Sequence, residues 1–238
     1  MPTNFEEIIF DQKYHSYTYH VKKLTSVTKL ANSLKPPFDR GGRAVKTAME
    51  RGVDVATILA EWDAAGEAGR AKGVKVHELI AAKLRNELPP ADDPFLSLNE
   101  RLPEMDGFEK LWDWLAGMTT LQQVEWVVGD GELGVAGTVD ALLLGKQSNE
   151  VHVWDWKTGK EFKSTNSFQN LLYPFDDLPD CDLSSYSLQI SLYRLIIERN
   201  TDFVIGDCYI AHLDPTGSWQ IYKALDLRER VESWLRER

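Results

Sequence analysis

Cysteine is scarce in this chain of 238 residues: only Cys181 and Cys208 are present. Two thiols make no disulfide framework. They also fall short of the four thiolates that an iron–sulfur cluster needs. Both are read as reduced thiols, which fits a cytoplasmic protein. No apolar run is long enough to cross a bilayer, so no membrane partner is expected. Met1 to Asp11 is acidic and lacks a basic segment ahead of an apolar core, so no signal peptide is expected. Several catalytic motifs are also missing. There is no G-x-S-x-G elbow. His77-Glu78 lacks the second histidine of H-E-x-x-H, and no glycine stands five residues before Gly159-Lys160, which excludes the phosphate loop of NTPases. No internal repeat or low-complexity block appears.

Positive charge is also short overall, with a net charge of −10. Taken alone, that balance argues against nucleic acid. The distribution argues otherwise. From Val21 to Arg85 there are 13 Lys/Arg against 7 Asp/Glu, whereas Asn86 to Asp140 has 2 against 12. A basic N-terminal third on an acidic body can present a positive track to a polyanion.

With 43% hydrophobic residues and eight Trp, the chain can bury a sizeable core. Tyr14 to Tyr19 alternates aromatic and polar residues and reads as a short strand. Ser26 or Thr28 caps a helix toward Leu34, stopped by Pro36-Pro37. Phe38 to Arg43 reads as a loop and Arg43 to Arg51 as a helix broken at Gly52. A further helix spans Val55 to Leu84, with a kink or break expected near Gly73 because Gly66, Gly69 and Gly73 each weaken it by about 1 kcal/mol. The acidic, proline-rich stretch Asn86 to Gly107 reads as a loop leading into a helix from Phe108 to Met118. Leu121 to Gly129 has strand character, with Glu125 set between Val124 and Trp126. Glu161 to Asp182 is a long polar connection. Ser184 or Ser185 caps a helix to about Glu198, on which Gln189 and Tyr193, four apart, share a face. Phe203 to Leu213 and Ser218 to Ala224 form a hairpin around Asp214 to Gly217, and a charged helix starts near Asp226.

The stretch from Gly137 to Lys160 organises the rest. It reads as two β-prone runs, Gly137 to Leu144 and Val151 to Trp156, around a polar turn. A turn centred between Gln147 and Ser148 sets Asp140 opposite Asp155, with Cβ atoms about 5 Å apart. Lys157 shares the Asp155 face and Trp156 points the other way. Leu142, Leu144, Val151 and Val153 lie on those same faces, so the hairpin reads as a covered central pair where charges need a reason. Two facing carboxylates repel unless a cation lies between them, and a hard divalent ion suits oxygen ligands. The Trp156 carbonyl is a candidate third ligand. Glu125 and His77 are candidates to add a carboxylate and an imidazole. Such a site equips a protein to hydrolyse a phosphodiester.

His77 in G-V-K-V-H-E, Glu125, G-T-V-D ending at Asp140, D-W-K at Asp155 to Lys157, and Q-x-x-x-Y at Gln189 and Tyr193 occur in that order over residues 73 to 193. In this the chain resembles the PD-(D/E)xK nuclease superfamily, in its RecB-like exonuclease branch; Ser26 to Leu30 resembles the start of phage-type and mitochondrial-type members. The resemblance implies an α/β, restriction-endonuclease-like fold: a central mixed β-sheet flanked by helices, with a helical N-terminal addition. One domain over 1–238 is expected, with a mainly helical basic part at 1–85 and the sheet core at 121–225. It implies Mg²⁺ or Mn²⁺, one or two ions, held by His77, Asp140, Asp155 and the Trp156 carbonyl. Lys157 would be the catalytic lysine, Glu125 a less certain match, and Gln189 and Tyr193 would bind DNA or position Lys157. The implied activity is a DNA exonuclease acting on single-stranded ends in recombination, repair or phage DNA processing, in the cytoplasm of a bacterial or phage-infected cell. A structure-selective endonuclease and a non-catalytic DNA-binding recombination module remain open alternatives. A helicase or a single-strand-annealing or single-strand-binding protein is a candidate partner. Arg40, Arg43, Lys46, Arg51, Lys160 and Lys163 are the candidate contacts to DNA phosphates.

Overall fold

The computed structural model describes residues 5–87 and 102–238. In chain order its elements are β1 (Ile8–Asp11), β2 (Ser16–Tyr19), β3 (Lys22–Ser26), α1 (Val27–Asn32), α2 (Arg40–Arg51), α3 (Val55–Leu84), α4 (Pro103–Met118), β4 (Thr119–Asp130), β5 (Val135–Gly145), β6 (Val151–Thr158), α5 (Asp182–Asn200), β7 (Tyr209–Leu213), β8 (Trp219–Lys223) and α6 (Arg228–Arg236).

Among the described residues one mixed sheet holds eight strands, in the order β1-β2-β3-β5-β6-β7-β8, with β4 also paired to β5. This is the restriction-endonuclease-like arrangement, a mixed sheet with helices on both sides. β5 is the hub. Along one edge it pairs antiparallel with β4 over nearly its whole length, from Thr119↔Gly145 to Asp130↔Val135. Its other edge is divided. β3 pairs in parallel at Val135 and Ala136, and β6 pairs antiparallel from Ala141↔Trp154 to Leu144↔Val151. Gly137 to Asp140 lie between these two ladders, and the candidate site opens at that gap.

Strand alternation sorts the side chains into two cores. Leu142, Val151 and Val153 face the cluster built on α1, α5 and α6, including Leu30, Leu192, Ile196 and Val231. Ala141, Leu143, Trp154 and Trp156 face α3 and α4, against Val76, Ile80, Phe108 and Leu111. The Trp156 ring meets Phe108 edge-on at 5.3 Å. α5 is buried around most of its circumference, as a helix wedged between a sheet and other helices must be.

Several boundaries differ from the sequence reading. Ser26 does cap α1, its side chain accepting from the Lys29 amide. The expected loop at Phe38 to Arg43 is helical from Arg40 on, because the Asp39 side chain caps α2 by accepting from the Gly42 amide. α3 runs without a break through Gly66, Gly69 and Gly73. Glycine lowers helix propensity, but packing of the flanking turns outweighs that cost. α4 starts at Pro103, at the first helical position, where its missing N–H costs nothing; residues 88–101 of the expected acidic loop lie outside the described residues. α5 begins at Asp182, after Cys181, so Ser184 and Ser185 lie inside it, buried, rather than capping it. Two further short strands, β1 and β3, flank β2 in the sheet.

Candidate active site

The β5–β6 ladder has the register that its turn chemistry predicts. Continued one residue past Ala141↔Trp154, it sets Asp140 against Asp155. There the backbones part. The Trp156 amide donates not to a strand partner but to Asp140 Oδ2, at 2.7 Å. On its other edge β6 pairs in parallel with β7, from Trp154↔Tyr209 to Thr158↔Leu213. The carboxylate of Asp140 thus completes the ladder where the two strands separate.

Glu125 enters from the opposite edge. Its neighbours pair as Val124↔Ala141 and Trp126↔Val139, which brackets Asp140. Glu125 itself has φ of 47°, in the left-handed region. A non-glycine residue held there costs about 1–3 kcal/mol, and such strain concentrates at functional sites. His77 comes from α3, with Nδ1 3.4 Å from Asp140 Oδ1. His77, Glu125 and Asp140 offer ligand atoms that all lie within 4.8 Å of one another.

Asp155 joins through other partners. Lys157 Nζ lies 2.6 Å from its Oδ2, a close and largely buried ion pair. Gln189 Nε2 donates to Asp155 Oδ1 at 3.2 Å and to the Tyr193 hydroxyl at 3.4 Å. The Tyr193 ring fills the gap in β5: a Cβ on Gly137 would sit 2.7 Å from Tyr193 Cε1. That contact explains the glycine of G-T-V-D. Thr138, next along, shares a hydrogen bond of 3.0 Å with the Tyr17 hydroxyl.

Electrostatics follow from this crowding. Burial opposes charge on His77, yet Asp140 beside it lifts its pKa to about 9. Burial likewise opposes ionisation of Asp140, but His77, Lys157 and the Trp156 amide hold it below the usual carboxylate range. Glu125 is pushed up, first by burial and then by the Asp140 charge. Asp155 is also raised by burial, with Lys157 pulling the other way. Lys157 is held protonated against its burial by Asp155 and Asp140. Glu125 and Asp155, raised by burial and by the neighbouring Asp140 charge, would be relieved by a cation, toward which His77 would first give up its proton. The donor set of one imidazole and several carboxylates suits a hard divalent ion such as Mg²⁺ or Mn²⁺.

The expected site residues therefore fall into groups. His77, Glu125, Asp140, Asp155, Lys157, Gln189 and Tyr193 are brought together; Trp156 lies among them, with its ring on the opposite face. The basic candidates lie on two other segments. On α2, Arg40 contacts Asp63 at 2.7 Å and Arg51 makes a two-pronged contact with Glu61 at 2.6 and 3.0 Å, both across to α3. Lys46 lies 3.9 Å from Glu50, and Arg43 is exposed. Lys160 and Lys163 are exposed on the connection after β6. One site neighbour escaped the sequence reading: the Tyr186 ring lies 4.7 Å from Lys157 Nζ. Its signal was present, since Asp182, Tyr186, Gln189 and Tyr193 recur at helical spacing on one face.

A mixed sheet between helical layers, with His77, Glu125 and Asp140 clustered at its parting strands and Lys157 beside them, makes this an α/β protein with a donor set able to hold a divalent cation. The family model of the PD-(D/E)XK nuclease superfamily matches residues 15–237. The chain belongs to that superfamily, and membership implies a metal-dependent nuclease with DNA as substrate. No curated protein matches the chain in sequence. No helix among the described residues is long and apolar enough to cross a membrane.

Proposed function

We propose that the protein is a Mg²⁺- or Mn²⁺-dependent DNA exonuclease of the RecB-like, phage- and mitochondrial-type branch, working as one domain on single-stranded ends in recombination, repair or phage DNA processing. The observation that carries this reading is the meeting of His77, Glu125 and Asp140 within 4.8 Å, beside the Asp155–Lys157 pair. One or two ions would be held by His77, Asp140, Asp155 and the Trp156 carbonyl, with Glu125 as a further carboxylate. When bound, the cation supplies Lewis acidity at the scissile phosphoryl group. Lys157 keeps its proton and offers fixed positive charge where negative charge develops in the transition state. Asp155 anchors that ammonium, Gln189 orients Asp155, and Tyr193 steadies Gln189.

Arg40, Arg43, Lys46, Arg51, Lys160 and Lys163 would bind phosphates along the approaching strand. Arg40 and Arg51 would exchange a surface carboxylate for a phosphate, a small cost for exposed pairs. A helicase or a single-strand-annealing or single-strand-binding protein in the cytoplasm of a bacterial or phage-infected cell would supply that strand.

The test incubates end-labelled single- and double-stranded DNA with Mg²⁺ and the wild type, Lys157→Ala or Asp155→Asn. The wild type should degrade linear single strands, spare circular ones and outpace both variants by orders of magnitude. Equal activity in all three proteins would remove the site assignment. Cutting of circles would make the protein an endonuclease, and binding without cutting would make it a non-catalytic module.

A further inference from the structure

We propose that Tyr186 is a positioning residue for the Lys157 ammonium, extending the Gln189–Tyr193 stripe of α5 by one turn toward its N-terminus. The proposal rests on the reading of Lys157 as the lysine that serves the scissile phosphate. An ammonium on a four-carbon stem has many rotamers, and one anchor fixes its distance from that anchor but not its direction. Asp155 Oδ2 holds Nζ at 2.6 Å. The face of the Tyr186 ring, 4.7 Å from Nζ, supplies a second anchor. Two anchors at an angle leave the remaining N–H to point in one direction. A cation gains from an aromatic face chiefly where water is excluded, and the Lys157 side chain is only 18% exposed.

The ring is itself braced from behind. Phe162, in the connection after β6, packs on Tyr186 with centroids 6.1 Å apart. It also stacks on Tyr222 of β8 at 3.9 Å and 16°. The third neighbour of Phe162 is His212 of β7, at 5.8 Å, whose Nε2 is 3.0 Å from the Gly159 carbonyl oxygen. Tyr186 is therefore backed by Phe162 of the segment that follows the lysine, and Phe162 in turn is held by the sheet edge beyond. Its spacing from Gln189 and Tyr193, three and seven residues, keeps all three on one helix face. α5 thus reads the D-W-K strand at two points, Asp155 through Gln189 and Lys157 through Tyr186.

The ring face does the positioning, so the hydroxyl is dispensable. Tyr186→Phe should cleave DNA like the wild type. Tyr186→Leu and Tyr186→Met keep apolar bulk but lose the π face; both should lose about ten- to a hundredfold in kcat, as misplacement of a reacting group does, with KM and melting temperature held. A second readout needs no activity. In protein carrying ¹³C-labelled lysine, the Lys157 Cε proton resonance, assigned by its loss in Lys157→Arg, should be shifted upfield by the ring current. It should stay so in Tyr186→Phe and return to the usual position in Tyr186→Leu. Wild-type kcat in both aliphatic variants, or an unshifted Lys157 resonance in the wild type, would overturn the proposal. A wild type that cuts no DNA would instead defeat the nuclease reading, while the resonance still decides the contact.

Discussion

The sheet with α5 and the α2–α3 arm are held together in opposite ways. Around β5 and β6 the side chains of Leu142, Leu143, Val153, Leu188 and Leu192 are fully buried, and even the polar groups of Asp140, Asp155 and Gln189 are almost wholly shielded from water. The arm has a core of Ala44, Ala48 and Ile58, with Val55, Leu59 and Trp62 partly covered. What else joins its helices is exposed charge, Arg40 to Asp63 and Arg51 to Glu61. A dense core can hold catalytic groups to a few tenths of an ångström because close-packed interiors give little. A thin core laced with surface ion pairs cannot, but it can offer basic side chains that swap partners at little cost. The proposed roles follow that difference, with chemistry in the dense region and most of the proposed grip in the arm.

The largest expected separation is in catalysis. Lys157→Ala should lower turnover by about 10²–10³-fold, the usual worth of one preorganised donor that stabilises transition-state charge, with little change in DNA affinity. Reversing Arg43 and Lys46 to Glu should do the opposite; steady-state kinetics beside a binding isotherm would show it. If both variants lost turnover alone, the division between chemistry and grip would fail.

Stability should divide the same way. Leu192→Ala opens a cavity in the main core and should cost about 2–5 kcal/mol in global denaturant unfolding. Ile58→Ala, equally buried, should leave that transition nearly in place and release hydrogen-exchange protection mainly in α2 and the first half of α3. A global loss from Ile58→Ala would make the arm part of the main cooperative unit.

Asp130 offers a pH test within the core region. Burial opposes its charge, but the Arg199 guanidinium, the Leu133 amide and the Asn200 side chain hold its pKa below the ordinary value. A depressed folded pKa contributes stability above the unfolded value, about 3.9, and loses it as pH falls through the folded one. Asp130→Asn should therefore cost about 1–3 kcal/mol at neutral pH, and the gap to the wild type should close below about pH 4. A gap constant from pH 7 to 3 would mean that shape, not charge, matters there.

The smallest effect belongs to the arm. Removing one cationic side chain that binds a phosphate of a single strand should lower the slope of log affinity against log salt by about 0.7. Arg43→Glu and Lys46→Glu together should flatten the slope by about twice that. Lys160→Glu and Lys163→Glu test the connection after β6 in the same titration.

Much of this division is legible in the chain. The Gln147-Ser148 turn centre was enough to set Asp140 across from Asp155, because hairpin register follows from turn position and period-two alternation. The face shared by Gln189 and Tyr193 followed from helical spacing alone. Other features were hidden. Glu125 meets Asp140 only through a pairing of β4 with β5 that shifts register between Leu121 and Gln123, and an irregular ladder leaves no periodic trace. The unbroken α3 was hidden because glycine propensity is local, while packing at Val76 and Ile80 is not. Tyr186 carries no motif of its own, since nothing in a sequence says which ring lies over which ammonium.

Local signals suffice for the hairpin, its paired carboxylates and lysine, the Q-x-x-x-Y face and the basic N-terminal third, because turn chemistry and side-chain period act over a few residues. Long-range packing is what closes His77 and Glu125 on Asp140, makes Gly137 the place for Tyr193, and sets Arg40 and Arg51 across two helices. Those pairings depend on how distant elements pack, and close packing is a property of the whole chain rather than of any stretch of it.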